Sequence, residues 1–239
     1  MAQNNGFTVW LTGMSGTGKT TLANYLAPRL RQVEHPVEVL DEGSVGEELW
    51  AGIGDAKEER NVVVRRLGYV AQLLSRNGVA VIVAAVSPYK AGRDEIRRLI
   101  GRQVEVYVDC PTDKLIERDT TGRYKKALSG EIPNFIGITE PYEPPAAPEV
   151  TIHSDAESVE EGGRKVLQAL LDLSYITSQE IKTITGKRVK PTPTGKKARR
   201  ASKPSKPATK GTRKARPLAR AARFAKASKK SAAGKRKAR

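Results

Sequence analysis

Short apolar runs alternate with longer amphipathic segments from residue 7 to residue 173 of the chain. Unbroken runs of Val, Ile, Ala and Leu are typical of strands buried on both faces of a parallel sheet, whereas apolar positions three or four residues apart predict helices. The pattern predicts strands at Phe7–Leu11, Val37–Leu40, Val79–Val86, Val104–Val108 and Val150–His153. It predicts helices at about 20–32, 56–77, 93–100, 112–118 and 159–173. This alternation indicates a three-layer α/β domain with a five-stranded parallel sheet.

The alternation breaks down between Asp119 and Glu149, in a stretch rich in Gly, Pro, Lys and Tyr. A connection of this length is uncommon inside a compact domain, so it is either a functional lid or an irregular surface loop. Lids in α/β enzymes close over substrate and exclude water. We therefore expect a domain at residues 1–174 with a lid at about 119–148, followed by a linker at 175–186.

Charge divides the chain at about residue 187. The 239 residues carry 43 Lys or Arg and 26 Asp or Glu, a net charge of +17, and residues 187–239 hold 22 of the basic residues and no acidic one. This segment lacks the apolar content needed to form a core, so we expect a disordered basic tail. Such a tail binds polyanions through counterion release, which favours non-specific DNA or RNA binding. The alternative is a solubilising or tethering appendage.

The sequence also restricts the expected location of the protein. No apolar run approaches the roughly 18 residues that a membrane-spanning helix needs, and the polar start Met1–Gly6 precedes no hydrophobic signal core. Cys110 is the only cysteine, so it has no internal disulfide partner, which agrees with a reducing compartment. We therefore expect a cytoplasmic protein with no membrane partner.

The turn after the first predicted strand carries the phosphate-binding pattern G-x-x-x-x-G-K-[ST]. Its residues are Gly13, Met14, Ser15, Gly16, Thr17, Gly18, Lys19 and Thr20. Glycines allow backbone N–H groups to converge on phosphate oxygens, and the N-terminus of the following helix adds a favourable dipole. We expect Lys19 to reach the β- and γ-phosphates of ATP and the Thr20 hydroxyl to ligate Mg²⁺. The alternative is a glycine-rich turn that binds nothing.

The phosphate-binding pattern does not by itself identify the group that receives the phosphate. The chain has no N-K-x-D signature of the kind that selects guanine, and its predicted domain is too small for an AAA-type module. These features indicate a small kinase whose acceptor binds across the carboxyl edge of the sheet.

Further motifs lie outside the loop, and together they resemble a known family. One is the segment Ser87-Pro88-Tyr89-Lys90, after the third predicted strand. The others follow one another through the predicted lid, at Arg118-Asp119, Gly122–Ala127, Gly130–Ile132, Asn134–Ile138 and Pro141–Pro144. With these motifs, residues 5–173 resemble the adenylyl-sulfate kinases, which phosphorylate the 3′-hydroxyl of adenylyl sulfate.

This resemblance implies a homodimeric P-loop kinase that uses ATP and Mg²⁺ to make 3′-phosphoadenylyl sulfate in sulfate activation. Asp41, at the end of the second predicted strand, matches an acid near the metal that orients the acceptor hydroxyl or accepts its proton. Ser87 matches a serine beside the nucleotide and is grouped with Asp41 and Lys19 as catalytic, whereas Arg118 is assigned to ATP binding. The alternative for Asp41 is a turn residue at the end of a strand.

The same resemblance implies the residues that bind the acceptor. Arg60 matches an arginine that holds the anionic groups of the substrate, and Phe135 matches a lid aromatic that stacks on its adenine. Lys125 and Lys126 match lid lysines near the phosphates, and Ile138 belongs to the same substrate-binding lid. The alternatives are a solvated charge on a helix face for Arg60 and a packing role for Phe135.

The departures from the family pattern fall on the acceptor side. The family segment Asp-Gly-Asp-Asn-x-Arg corresponds here to Asp41-Glu42-Gly43-Ser44-Val45-Gly46, with Glu42 as the candidate for the second carboxylate. Asp55, Val63 and Pro133 stand where the family has phenylalanine, asparagine and lysine. The chain is therefore a weak adenylyl-sulfate kinase or a kinase of the same fold with another acceptor. A third hypothesis is a nucleic-acid-binding protein that acts through its tail, with a weakened kinase domain.

Overall fold

Five parallel strands form one sheet in the computed structural model, which describes residues 6–45, 49 and 51–186. The strands are β1 (Phe7–Thr12), β2 (Val37–Asp41), β3 (Ala80–Ala84), β4 (Gln103–Asp109) and β5 (Val150–His153). Their hydrogen-bonded order is β2-β3-β1-β4-β5. The central strand β1 pairs Val9 with Ile82 of β3 on one side and with Val104 of β4 on the other.

Helices cover both faces of this sheet. Within the described residues they are α1 (Lys19–Arg31), α2 (Lys57–Arg76), α3 (Lys90–Ile100), α4 (Thr112–Arg118), α5 (Arg123–Leu128), α6 (Val159–Asp172) and α7 (Ser178–Thr185). Val9 and Leu11 of β1 belong to a core cluster with α1 and α6, whereas Trp10 belongs to one with α2 and α3. Successive side chains of a strand point to opposite faces, so β1 is buried on both sides. The prediction of a three-layer α/β fold with a five-stranded parallel sheet is confirmed.

The segment predicted as a linker, residues 175–186, contains helix α7. Thr177 starts the helix by accepting a hydrogen bond from the backbone N–H of Glu180, whose side chain caps Thr177 in return. Ile176 and Ile181 are buried in the core cluster that includes α1. The linker prediction was therefore wrong, because a capping box and two core isoleucines continue the folded domain.

Part of the predicted lid is helical as well. Asp119 begins this region by accepting hydrogen bonds from the backbone N–H groups of Thr121, at 3.0 Å, and Tyr124, at 2.7 Å. Tyr124 and Ala127 of the short helix α5 are buried, so this helix is packed against the domain. The lid is therefore a structured excursion rather than an irregular loop throughout.

The carboxyl ends of β1, β2 and β3 meet at one edge of the sheet, where the chain continues into the phosphate-binding loop, Glu42 and Ala85, respectively. Open α/β sheets bind their ligands at this edge. Among the described residues, none of the helices has the length and apolar character of a membrane-spanning segment. The predicted tail, 187–239, and Gly46 lie outside the described residues.

Candidate active site

The loop after β1 has the geometry of a phosphate site. Gly13 has a φ of 150°, and a Cβ added there would lie 2.2 Å from the carbonyl oxygen of Val108. Gly18 has a left-handed φ of 96° and directly precedes α1. Glycine is the residue that meets both requirements without strain. The Thr17 hydroxyl closes the turn by donating to the Met14 carbonyl at 3.0 Å. The loop leads directly into the N-terminus of α1, and helix N-termini are sites where anions bind.

Lys19 places a buried ammonium group in this loop. Its side chain reaches back along the turn, and Nζ donates to the carbonyl oxygens of Gly13, at 2.9 Å, and Met14, at 2.7 Å. Burial lowers the pKa of Lys19 to about 8, while the carboxylates of Glu42 and Asp41 act in the opposite direction. The two hydrogen bonds thus hold the lysine inside the loop. Burial disfavours its charged form, and the two carboxylates favour that form.

Thr20 and Asp41 bring a hydroxyl and a carboxylate together beside Lys19. The Thr20 hydroxyl donates to Oδ2 of Asp41 at 2.5 Å, and the backbone N–H of Gly43 donates to Oδ1 at 2.8 Å. Within the described residues, no three Asp, Glu, His or Cys side chains cluster as a metal cage. Mg²⁺ in phosphoryl-transfer enzymes needs only one or two protein oxygens, because waters and substrate phosphates complete its shell. This pair of oxygen donors therefore fits Mg²⁺.

A cavity of about 550 Å³ opens over the loop. It is bounded by the loop, the end of β2, the start of α2 and the lid, and it brings together eight of the residues predicted for the site. These eight are Ser15, Gly16, Gly18, Lys19, Thr20, Asp41, Arg60 and Phe135. Glu42, Asp55, Arg123, Pro133 and Asn134 also line it.

Glu42 and Ser87 occupy different positions relative to this cavity. Glu42 lines it, and its Oε2 accepts a hydrogen bond from the backbone N–H of Val86 at 2.6 Å. The Ser87 side chain is buried, where Oγ donates to the Thr12 hydroxyl at 2.8 Å and accepts from the Trp10 indole at 3.1 Å. Ser87 faces a smaller neighbouring cavity instead, of about 170 Å³. Its predicted catalytic role thus has no support from its orientation.

The lid contributes an aromatic pair to the site. Phe135 is buried beside the cavity and meets the Tyr124 ring edge-on, with ring centroids 4.8 Å apart. The Tyr124 hydroxyl donates to the carbonyl oxygen of Ser15 at 2.6 Å, and burial raises its pKa to about 12. Tyr124 therefore connects the lid to the phosphate-binding loop. Sequence reasoning did not select it, although it lies in the Tyr-Lys-Lys-Ala segment of the lid.

Three other lid residues predicted for the acceptor site lie away from the cavity wall. Lys125 and Lys126 are exposed on α5, and Ile138 packs against the cluster around Phe135. None of the three is among the residues lining the large cavity. The cation that the lid does place there is Arg123, whose guanidinium lies 5.5 Å from the centre of the Phe135 ring.

Arg118 lines another cavity, of about 190 Å³, which adjoins Ser15 and Gly16 of the phosphate-binding loop. Its guanidinium donates to the carbonyl oxygen of Ser154 at 3.1 Å and contacts Sγ of Cys110 at 3.7 Å. Ser15, Gly16 and Arg123 line both this cavity and the larger one. The two cavities therefore meet at the phosphate-binding loop, as a bound nucleotide would require.

Arg60 connects the start of α2 to the lid. Its Nη2 donates to the carbonyl oxygen of Asn134 at 2.8 Å, and its Nε donates to the carbonyl oxygen of Asp55 at 2.9 Å. Nη2 also pairs with Oδ1 of the Asp55 side chain at 2.9 Å. The cationic residue expected to hold an anionic substrate thus faces the cavity with a carboxylate beside it.

The family description "Adenylylsulphate kinase" matches residues 5–153. The chain belongs to the adenylyl-sulfate kinase family. An adenylyl-sulfate kinase of Rippkaea orientalis is 48% identical over 174 residues, which is 73% of this chain and 96% of the relative. One of Myxococcus xanthus is 49% identical, over 71% of this chain and 94% of the relative. The structure of the Mycobacterium tuberculosis APS kinase in complex with AMPPNP and APS matches with a TM-score of 0.66 and 34% identity, over 70% of this chain and 98% of that chain.

As a member of this family the chain is a phosphotransferase, and two of its family segments contact each other. The backbone N–H of Glu143 donates to the carbonyl oxygen of Pro88 at 2.9 Å, and Oε2 of Glu143 accepts from the backbone N–H of Lys90 at 2.7 Å. Tyr142 and Thr12 share a hydrogen bond between their hydroxyl groups at 2.8 Å. The segment Pro141–Glu143 therefore anchors the end of the predicted lid to β1 and to the start of α3.

A buried arginine completes this anchor, and sequence reasoning missed it. Arg93 donates to the carbonyl oxygen of Ser87 at 2.6 Å and to that of Glu143, and it pairs with Glu105 at 3.1 Å. Burial raises the pKa of Glu105, and the charge of Arg93 opposes that rise. The only sequence signal was a basic residue on an otherwise amphipathic helix, which usually indicates a solvated side chain.

Proposed function

We propose that this kinase transfers the γ-phosphoryl group of ATP to the 3′-hydroxyl of adenylyl sulfate. The observation that carries the proposal is the common cavity: the phosphate-binding loop, the Thr20–Asp41 pair, Arg60 and Phe135 all face it in a chain of the adenylyl-sulfate kinase family. A donor site and an acceptor site that share one cavity suit direct transfer between two bound substrates.

The donor side is assigned to the loop and its neighbours. The backbone N–H groups of the loop and the Lys19 ammonium hold the phosphates of ATP. The adenine of ATP would lie in the cavity of about 190 Å³ that Arg118 lines. Thr20 and Asp41 would hold Mg²⁺, which when bound neutralises charge on the β- and γ-phosphate oxygens. These residues do not distinguish one acceptor from another.

The acceptor side is assigned to the lid and the start of α2. Phe135 stacks on the adenine of the acceptor, and Arg60 binds its anionic groups. Asp41 orients the 3′-hydroxyl and takes its proton as the oxygen attacks the γ-phosphorus. The new bond joins that oxygen to phosphorus, the bond from phosphorus to the bridging oxygen breaks, and ADP leaves with the electron pair.

The test is turnover of the full chain with ATP, Mg²⁺ and adenylyl sulfate. We expect 3′-phosphoadenylyl sulfate as product, and we expect Lys19→Ala to abolish its formation. Absence of product at millimolar acceptor, in a preparation that still binds ATP, would reject the proposal. A coupled assay of ADP release with other nucleotides and small alcohols would then identify the acceptor. Asp55 and Val63, which line the smaller cavity on the acceptor side, favour this alternative.

The charge of the tail supports a second function, non-specific binding of DNA or RNA. Residues 187–239 contain 22 Lys or Arg and no acidic residue. Binding through such a segment releases counterions and weakens steeply as salt is raised. We expect the full chain to bind double-stranded DNA with this salt dependence and residues 1–186 to lose it. Equal binding by the truncated chain would reject this function.

A further inference from the structure

Asp55 adds a carboxylate to the part of the cavity where the proposed acceptor would place its negative charge. Among the described residues, three acidic side chains line the cavity: Asp41, Glu42 and Asp55. Asp41 is held by Thr20 and by the backbone N–H of Gly43, and Glu42 accepts from the backbone N–H of Val86. The Asp55 carboxylate pairs with the cation Arg60.

The position of Arg60 does not depend on this ion pair alone. The bonds from Nε to the Asp55 carbonyl and from Nη2 to the Asn134 carbonyl involve main-chain oxygens. Only the contact to Oδ1 depends on the Asp55 side chain. Removal of that carboxylate would therefore leave Arg60 with two hydrogen bonds that hold it at the cavity wall.

Breaking the ion pair between Asp55 and Arg60 also costs little free energy. The Asp55 side chain is 68% exposed and that of Arg60 is 21% exposed. Exposed ion pairs contribute little to stability, because water solvates the separated charges well. An anionic group that enters the cavity can therefore displace the carboxylate from Nη2, but it must compete with a charge that is attached to the protein.

We propose that Asp55 is an internal competitor for Arg60 and thereby sets the affinity of the site for anionic acceptors. This inference rests on the proposed function, since it takes adenylyl sulfate as the acceptor. The Asp55 carboxylate occupies the guanidinium donor that the phosphosulfate group would use, and it repels that group electrostatically. Asp55 is thus a specificity-determining residue: it weakens binding of an anionic acceptor and leaves the donor nucleotide unaffected.

The experiment compares the full-length wild-type chain with Asp55→Asn and Asp55→Ala. Calorimetry of adenylyl sulfate binding in the presence of ADP and Mg²⁺ should give a dissociation constant five- to thirtyfold lower for both variants, while the KM for ATP stays within twofold. Glu58→Gln is the matched control, because it removes an exposed carboxylate in the first turn of α2, three residues after Asp55 and away from the cavity. Its binding constant should match that of the wild type.

Two further measurements test whether the tighter binding depends on the phosphosulfate group and on Arg60. Adenosine lacks the phosphosulfate group, so Asp55→Asn should not tighten its binding. In an Arg60→Ala background, Asp55→Asn should gain much less than it gains in the wild type, because the shared partner is gone. Equal tightening of adenosine, an undiminished gain without Arg60, or unchanged adenylyl sulfate binding would each overturn the proposal.

The outcomes also separate this inference from the proposed function. Tighter binding by Asp55→Asn without any product would uphold the competition and reject the phosphoryl transfer to adenylyl sulfate. Product formation with unchanged binding would do the reverse. Absence of adenylyl sulfate binding to any of the variants, with ADP bound, would overturn both.

Discussion

The titration of Lys19 should make ATP binding depend on pH near the lowered pKa of this lysine. Burial lowers the pKa of Lys19 to about 8 in the nucleotide-free protein. The ammonium form binds phosphate and the neutral amine does not, so affinity is highest below this pKa and falls as the pH rises through it. Tyr124 and Tyr142 have pKa values raised by burial to about 12, so both remain protonated over this range.

The expected change follows from the protonated fraction of Lys19. With a pKa of about 8, this fraction falls about tenfold between pH 7 and pH 9. A bound triphosphate keeps the lysine charged, so the affinity for ATP should fall by the same factor, about 1.4 kcal/mol. Binding at pH 9 should accordingly take up about 0.9 of a proton, whereas binding at pH 7 should take up about 0.1.

The assay is calorimetry with the imido analogue of ATP and Mg²⁺ at pH 7, 8 and 9, in two buffers of different ionisation enthalpy. The two buffers give the number of protons taken up directly. Lys19→Arg is the control, since a guanidinium remains charged throughout and its affinity should not fall with pH. A wild-type affinity that is constant from pH 7 to pH 9, or an equal fall in Lys19→Arg, would refute this reasoning.

Three other substitutions test separate parts of the site and fold. Glu42→Gln removes a charge that raises the pKa of Lys19, so the fall in ATP affinity should begin at lower pH in the same calorimetric assay. Phe135→Ala should raise the KM for adenylyl sulfate by a factor of about 5 to 150, the equivalent of about 1–3 kcal/mol of stacking; a parallel rise in the KM for ATP would contradict a stacking role. Gly68→Ala would place Cβ 2.4 Å from Cγ2 of Ile96 and should destabilise the domain by about 1–3 kcal/mol in urea denaturation, whereas unchanged stability would show that the helices separate freely.

Most of the fold was predictable because each strand and long helix carries its own pattern. Trp10 lies between Val9 and Leu11 in an unbroken apolar run, which is what burial on both faces of a sheet requires. Helix α7 was missed although its capping box, Thr177 to Glu180, was readable. Helix α5 had no comparable signal, since the hydrogen bonds of Asp119 that begin it depend on the conformation of the turn.

The donor side of the site was more predictable than the acceptor side, because it depends on local backbone geometry. The loop occupies eight consecutive residues, and the glycine conformations that shape it follow from the sequence pattern alone. The acceptor side is assembled from distant segments, since Arg60 contacts Asn134, 74 residues away. The anchor of the lid is also long-range, since Arg93 contacts Glu143, 50 residues away. The resemblance selected Arg60, which lines the cavity, but nothing in the sequence indicated its contact with Asn134.

This difference determines how substitutions on the two sides should be interpreted. A change in the loop acts on groups that contact phosphate directly, so its effect can be derived from the residue itself. The replacement of a family phenylalanine by Asp55 suggests, from sequence alone, only the loss of a stacking surface. The contact with Arg60 changes that interpretation, because the same carboxylate also occupies the cation that the acceptor needs. Restoring an aromatic residue with Asp55→Phe should therefore tighten acceptor binding more than Asp55→Asn does, since it adds stacking to the release of Arg60. Equal gains in the two variants would mean that the ion pair accounts for the whole effect of this position.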